Sequence, residues 1–465
     1  MKPGTLVALL ALSAVGCGDA SSDDLATASL DDATPKSGAD GKAVGCDDDA
    51  LPVDPAAGAH GTLLVAELAA GKEAVHAYSL PDLRLTGTLA GVKLGNHVGA
   101  LPLPDGRILT TDDLRHEIIT IGAAADGKPA VLQRAAAELG SSGSWGCADS
   151  ALRYFVAGSG RDEGTTQVAN VVSLADFTNT KLEVPLNVIN GATEELHPAL
   201  GGEPLHLFAG VGGEVRAWLL ADVLAGKTAP VASLPIATGS HGPVITPSAL
   251  YIATKEGNGF DGVTLAAPFK NAQVIPWDVD GLASGRNARP RLAHDGHTIY
   301  GAITQSKPAE PERWAEKQVD LHIADVTSSK ASRQPLTTGI VPKFQLSQRY
   351  ALFANVTAEG DFAILVDVRT ASPTYQQVVA RIPLPKLVAG PVAGQPIAGK
   401  EARASAITPD GRFGFVSHGG EGKISVIDTE ARAVVRTLET PTALAGGGYL
   451  VAGQRGIQPV DTCAR

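Results

Sequence analysis

Apolar and polar positions alternate in short runs along nearly the whole chain from about residue 58 onward. The clearest stretch reads Ala404-Ser405-Ala406-Ile407, a Thr408-Pro409-Asp410-Gly411 turn, then Arg412-Phe413-Gly414-Phe415-Val416-Ser417. A glycine-rich turn, Gly419-Gly420-Glu421-Gly422, leads to Lys423-Ile424-Ser425-Val426-Ile427-Asp428, and Ala433-Val434-Val435-Arg436-Thr437-Leu438 follows. A period of two with β-branched residues predicts half-buried strands. Pro-Asp-Gly predicts a tight turn, because proline fixes φ and glycine tolerates positive φ.

The same order recurs. One copy begins at His97 and runs through Pro104-Asp105-Gly106 to Glu117-Ile118-Ile119-Thr120-Ile121. Others begin near Trp145, His197, His241, Arg289 and Lys343, and an N-terminal copy runs from Leu63 to Leu89. Starts lie roughly 45 to 60 residues apart, the period of propeller blades. The fold class is therefore all-β: a β-propeller of seven or eight four-stranded blades, with eight the better count. Gly448-Tyr449-Leu450-Val451-Ala452 reads as a strand that closes the ring on the first blade and hides its edge.

The first residues follow a different pattern. Lys2, a short apolar run from Leu6 to Val15 and small residues after it make a secretory signal over residues 1–16, too short for a permanent span. Ala14-Val15-Gly16-Cys17 resembles the lipobox of bacterial lipoproteins, which implies lipidation of Cys17. Residues 17–57 form an acidic tract with ten aspartates against Lys36 and Lys42, predicted to be a flexible tether; residues 58–465 form the propeller. The formal net charge is −11. The tether supplies −8 of it, and the signal's Lys2 +1, leaving −4 for the propeller. The acidity thus belongs to the tether. With no basic stripe interleaved with aromatics, nucleic acid is excluded as a partner. The expected location is extracytoplasmic, in the periplasm or at the surface of a bacterium, with the membrane as a partner through the lipid.

Four cysteines exclude a disulfide-dense scaffold. With Cys17 lipidated, a Cys46–Cys463 bond would staple the ends of the folded region, while Cys147 reads as a buried thiol.

Of the 11 histidines, His97, His197 and His241 fall at the heads of the innermost strands of their units. Such heads crowd one mouth of a propeller's channel, so the three are candidate ligands for zinc or another transition metal, with His206 a further candidate. Arg289, Lys343 and Arg403 occupy similar positions in other units and predict a basic arc for an anionic ligand. Enzyme signatures are thin. There is no Gly-x-Ser-x-Gly or His-Glu-x-x-His, and Gly226-Lys227-Thr228 lacks the leading glycine of a phosphate loop. Glu194, Glu195 and Arg403 are the acid/base set available to a lactonase.

Two resemblances add to this. Ala404 to Leu438 resembles the YVTN-type blade of bacterial extracytoplasmic propellers, which implies the fold and no particular chemistry. Glu203-Pro204-Leu205-His206-Leu207-Phe208, Ala221-Asp222-Val223-Leu224-Ala225-Gly226 and Gly239-Ser240-His241-Gly242-Pro243-Val244 are similar to the AztD family of periplasmic zinc chaperones. That resemblance implies zinc as cargo and a solute-binding protein as partner. The tether here carries aspartate but no histidine, a departure from the family. The expected function is a non-enzymatic, lipid-anchored binding module, in its sharper form a metal-binding, zinc-chaperone-like one; the alternatives are a lactonase-type hydrolase and a metal-free protein scaffold.

Overall fold

A computed structural model describes residues 60–464 apart from 96, 141–142, 161–163, 255–257, 278–284, 287–289, 342 and 460. The signal, Cys17, the tether, Cys46 and Arg289 lie outside the described residues.

The strands form eight blades in a ring, numbered here in chain order: blade 1 over 61–90 with 449–454, blade 2 over 101–136, blade 3 over 144–185 with 463–464, blade 4 over 197–235, blade 5 over 240–276, blade 6 over 291–338, blade 7 over 344–384 and blade 8 over 405–439. The C-terminal example is Ser405–Ile407, Phe413–His418, Lys423–Asp428 and Ala433–Glu439, paired in that order from the inside outward. Its turn carries Gly411 at φ +78, and a Cβ there would lie 2.7 Å from Ser347 Oγ, so glycine is required for both backbone angle and space. Asp410 fixes the same turn by accepting from Thr408 Oγ1 at 2.6 Å and Arg412 N at 2.9 Å.

Each blade must bury two faces, and the apolar positions divide accordingly. Eight clusters fill the spaces between neighbouring blades all round the ring. Val65 and Tyr78 of blade 1 meet Phe415 and Val426 of blade 8, for example, and Leu321 and Ile323 of blade 6 meet Phe353 and Ile364 of blade 7. Inner strands are buried throughout, as in Ser144–Ala148 and His197–Gly201, whereas the outer Asn179–Pro185 alternates.

Closure follows the sequence reading. Tyr449–Gln454 is the innermost strand of blade 1 and pairs antiparallel with Gly61–Glu67. The chain then turns beneath blade 2, where Gly456 N donates to Pro104 O, and comes back along the channel. Cys463–Ala464 adds a fifth, innermost strand to blade 3, with Cys463 opposite Cys147. These two cysteines form a disulfide across 316 residues of sequence. The expected Cys46–Cys463 bond is thereby overturned. The antiparallel register sets the Cα atoms of Cys147 and Cys463 3.9 Å apart, so Cys463 is already committed.

The helix Leu220–Leu224 sits between the third and fourth strands of blade 4. Gly226-Lys227-Thr228 follows it rather than leading into it, and Lys227 Nζ bonds Asp222 Oδ1 at 2.7 Å, so a phosphate-loop role is excluded by geometry.

Candidate functional site

The first strands of blades 3, 4 and 5 begin at Ser144, His197 and Ser240, and the loop carrying His97 leads into that of blade 2. Equivalent strand heads converge on the channel mouth, and the side chains there form one group. Trp145 stands at its centre. Its ring centre lies 5.6 Å from that of His97, 5.9 Å from His197 and 4.9 Å from His241, the last edge-on. His197 and His241 lie 5.9 Å apart with planes tilted by 36°. Three histidines from three blades therefore share one indole.

Acids complete the group. Glu195 Oε1 lies 3.1 Å from His97 Nδ1. Glu194 ties the head of blade 5 to blade 4, accepting from Gly239 N at 2.5 Å, Ser240 N at 2.9 Å and Ser240 Oγ at 2.6 Å. Ser240 Oγ also lies 3.4 Å from His197 Nδ1. A carboxylate–hydroxyl–imidazole chain of this kind fixes the orientation of the ring. Two carboxylates beside three imidazoles make the mouth a place for positive charge. Among the described residues, no three His, Cys, Asp or Glu side chains close on a ready-made metal geometry.

The other sequence candidates sit elsewhere. His206 pairs across to Gly201, at the far end of the strand that His197 begins, and packs edge-on against Phe269 at 5.0 Å. It is a core residue, since the strand's length separates it from the mouth. Lys343, near the inner strand of blade 7, places its ammonium 5.1 Å from the Tyr449 ring centre. Arg403 is buried between blades 7 and 8, with Nε 2.9 Å and Nη2 2.6 Å from Asp361 Oδ2 and further bonds to Ser417 O and Pro385 O. Its guanidinium therefore holds blades together and offers nothing to a ligand.

Trp145 was not a candidate, although it heads its unit as His97, His197 and His241 head theirs. That shared register was the available signal.

A catalytic-looking pair occurs outside the mouth. His418 Nε2 lies 2.8 Å from Ser425 Oγ, and Glu421 is 4.0 Å from Nδ1. Both His418 and Ser425 are buried, which bars a substrate. Burial chiefly, then the nearby Arg403 and Lys423, press the imidazole down to about 4, against the opposing pull of Glu421 and Asp361. The consequence is pH-dependent stability. Below about 6.5 the unfolded chain takes up a proton that folded His418 refuses, so stability present above that pH drains away as pH falls toward 4. By pH 5 the loss from this residue is about 2 kcal/mol. Urea titrations at pH 7 and 5 should show a gap smaller by that amount in His418→Gln; an unchanged gap would remove His418 from the account.

Solved structures with the same architecture were found at low identity. Apo AztD from Citrobacter koseri is 12% identical with a TM-score of 0.57, covering 85% of this chain and 98% of its own. A second AztD structure from that organism is 13% identical with a TM-score of 0.59, covering 86% and 100%. The dihydro-heme d1 dehydrogenase NirN is 15% identical with a TM-score of 0.52, covering 85% and 75%. At such identities the likeness shows the propeller fold alone. No family profile and no curated sequence matches the chain.

Proposed function

We propose that this propeller is a non-enzymatic binding module whose mouth takes a late transition-metal cation, zinc first, through His197 and His241. The observation that carries the reading is their separation. Two imidazoles on one tetrahedral zinc, each about 2.0 Å from the ion, hold ring centres about 5 Å apart. The observed 5.9 Å lies within a small rotamer adjustment of that value. Imidazole suits zinc and copper, and Glu195 or His97 supplies a third donor once their mutual contact opens. Trp145 then walls the ion from solvent. The AztD resemblance of Gly201 to Thr254 points the same way, and with it comes the proposal of a solute-binding protein as recipient. Lipidated Cys17 and the acidic tether would hold the module at an extracytoplasmic membrane face. Against a lactonase reading, Glu194 is occupied by three donors of blade 5 and Arg403 by Asp361.

Zinc titration against a chromophoric chelator tests this. One equivalent should bind at pH 7, and His197→Ala and His241→Ala should each weaken it at least tenfold, on the scale of losing a ligand. Affinity should fall as pH drops, because protons compete with the metal for the imidazole nitrogens. No zinc bound by the unmutated protein, or equal binding by both variants, sinks the reading.

A further inference from the structure

The returning segment, residues 455–464, ends beneath the histidine group. Its strand Cys463–Ala464 lies on the channel side of Ser144–Ala148, with Cys463 opposite Cys147 and Ala464 opposite Gly146. Cys147 stands two residues along from Trp145. Ala199 stands two residues along from His197 and shares its face of the strand. Ile252 pairs with Pro243, two residues along from His241. Cys147, Cys463, Ala199 and Ile252 belong to one buried cluster. The disulfide therefore sits one step down from three strand heads, about 7 Å by the rise of a strand.

Two of these heads are irregular. The ladder between Ser144–Ala148 and Tyr154–Gly158 skips Trp145, since Ser144 faces Gly158 and Gly146 faces Ala157. The ladder of blade 5 skips Gly242 in the same way, between His241 and Pro243. A bulge re-aims the side chains beside it and interrupts the ladder's hold on the backbone. The opposite edge then matters more. Next to Trp145 that edge carries Ala464 against Gly146, and Ala148 N donates to Thr462 O at 2.8 Å. Upstream, Asp461 Oδ2 accepts from Leu292 N at 3.4 Å, a long bond. Two residue pairs make a weak ladder by themselves. The covalent bond from Cys463 to Cys147 is what fastens it.

From this we infer that the Cys147–Cys463 bond is a positioning element of the histidine mouth: it fastens the returning segment as a floor that holds Trp145, His197 and His241 in place. Its effect on a cation rests on the zinc reading; its effect on Trp145 does not. Without the bond, the short strand leaves its edge, and Ala199 and Ile252 lose the sulfur packed beside them. The ring persists, because Tyr449–Gln454 still closes blade 1. The loss is therefore local, and it falls on the indole against which all three imidazoles pack. A site with a loosened support binds its ion more weakly, because its ligands must then be ordered when the ion arrives.

The test uses the full-length protein carrying Cys147→Ala and Cys463→Ala together. Zinc, measured against a chromophoric chelator, should bind at least tenfold more weakly, on the scale of losing an outer-shell support. Arg403→Leu controls for stability alone, since its seam between blades 7 and 8 lies outside this cluster. It should hold zinc within about twofold of the unmutated protein, as independent sites do. The emission of Trp145 is read in zinc-free protein, as the difference from Trp145→Phe in each background. It should shift to the red without the bond, as the indole meets water. Should the double alanine variant fail to fold, Cys147→Ala with Cys463→Val refills the cluster and should give the same results. Equal zinc affinity with and without the bond, an equal loss in Arg403→Leu, or an unmoved Trp145 emission would each overturn the assignment. If the unmutated protein binds no zinc, the zinc reading falls, and the Trp145 emission alone decides whether the floor stands.

Discussion

Replacing both Cys147 and Cys463 by alanine is expected to lower the melting temperature by about 6 °C. The bond closes a loop of 316 residues in sequence separation, and loop-closure entropy for so long a loop corresponds to about 5 to 6 kcal/mol at 25 °C. With an unfolding entropy near 2.1 cal/mol/K per residue, a propeller of about 400 residues loses about 1 °C for every 0.85 kcal/mol. Both cysteines are buried against Ala199, Phe208 and Leu250, so solvent and reductant meet the bond only after the returning segment has moved. The same variant should expose the channel wall near Arg291, read as faster hydrogen exchange at Leu292. Cys46→Ser should leave the melting temperature unchanged. Scanning calorimetry under non-reducing conditions decides the matter: a shift below about 1 °C for the double variant would show that the strand closure with blade 1 alone secures the ring.

Much of this architecture could be read from the residues, and what could not be read has physical reasons. Outer blade strands announce themselves by alternation because one of their faces meets solvent, and inner strands by short apolar runs because both of theirs are packed; Pro-Asp-Gly turns mark the blade register because their geometry demands those residues. The closing strand Tyr449–Gln454 carried the same signature. The second closure left no such trace. Cys463–Ala464 is two residues long, and its partner is chosen by where the chain returns in space rather than by pattern. At the mouth, strand-head register brought out His97, His197 and His241 because equivalent positions in a ring must converge. His206 failed the same test by lying at the wrong end of its strand. An arginine in a channel and an arginine between blades look alike in a sequence; only the position of Asp361, 42 residues before Arg403, separates them.

That distinction has an expected consequence of its own. Arg403→Leu should destabilise the propeller by about 3 to 5 kcal/mol, because it strands the Asp361 carboxylate in a site only 1% exposed. On the same scale this is about 4 to 6 °C in melting temperature. The cost comes from desolvated charge without its partner, rather than from the intrinsic strength of the pair. Arg403→Leu combined with Asp361→Leu should therefore recover most of the loss, since two apolar side chains of similar size fill the space between blades 7 and 8 without burying a charge. A residue recruited for an anionic ligand behaves oppositely: its loss weakens binding and leaves the melting temperature nearly untouched. Scanning calorimetry on the two variants separates these outcomes. A single variant that melts within about 1 °C of the unmutated protein would overturn the buried-pair account of Arg403.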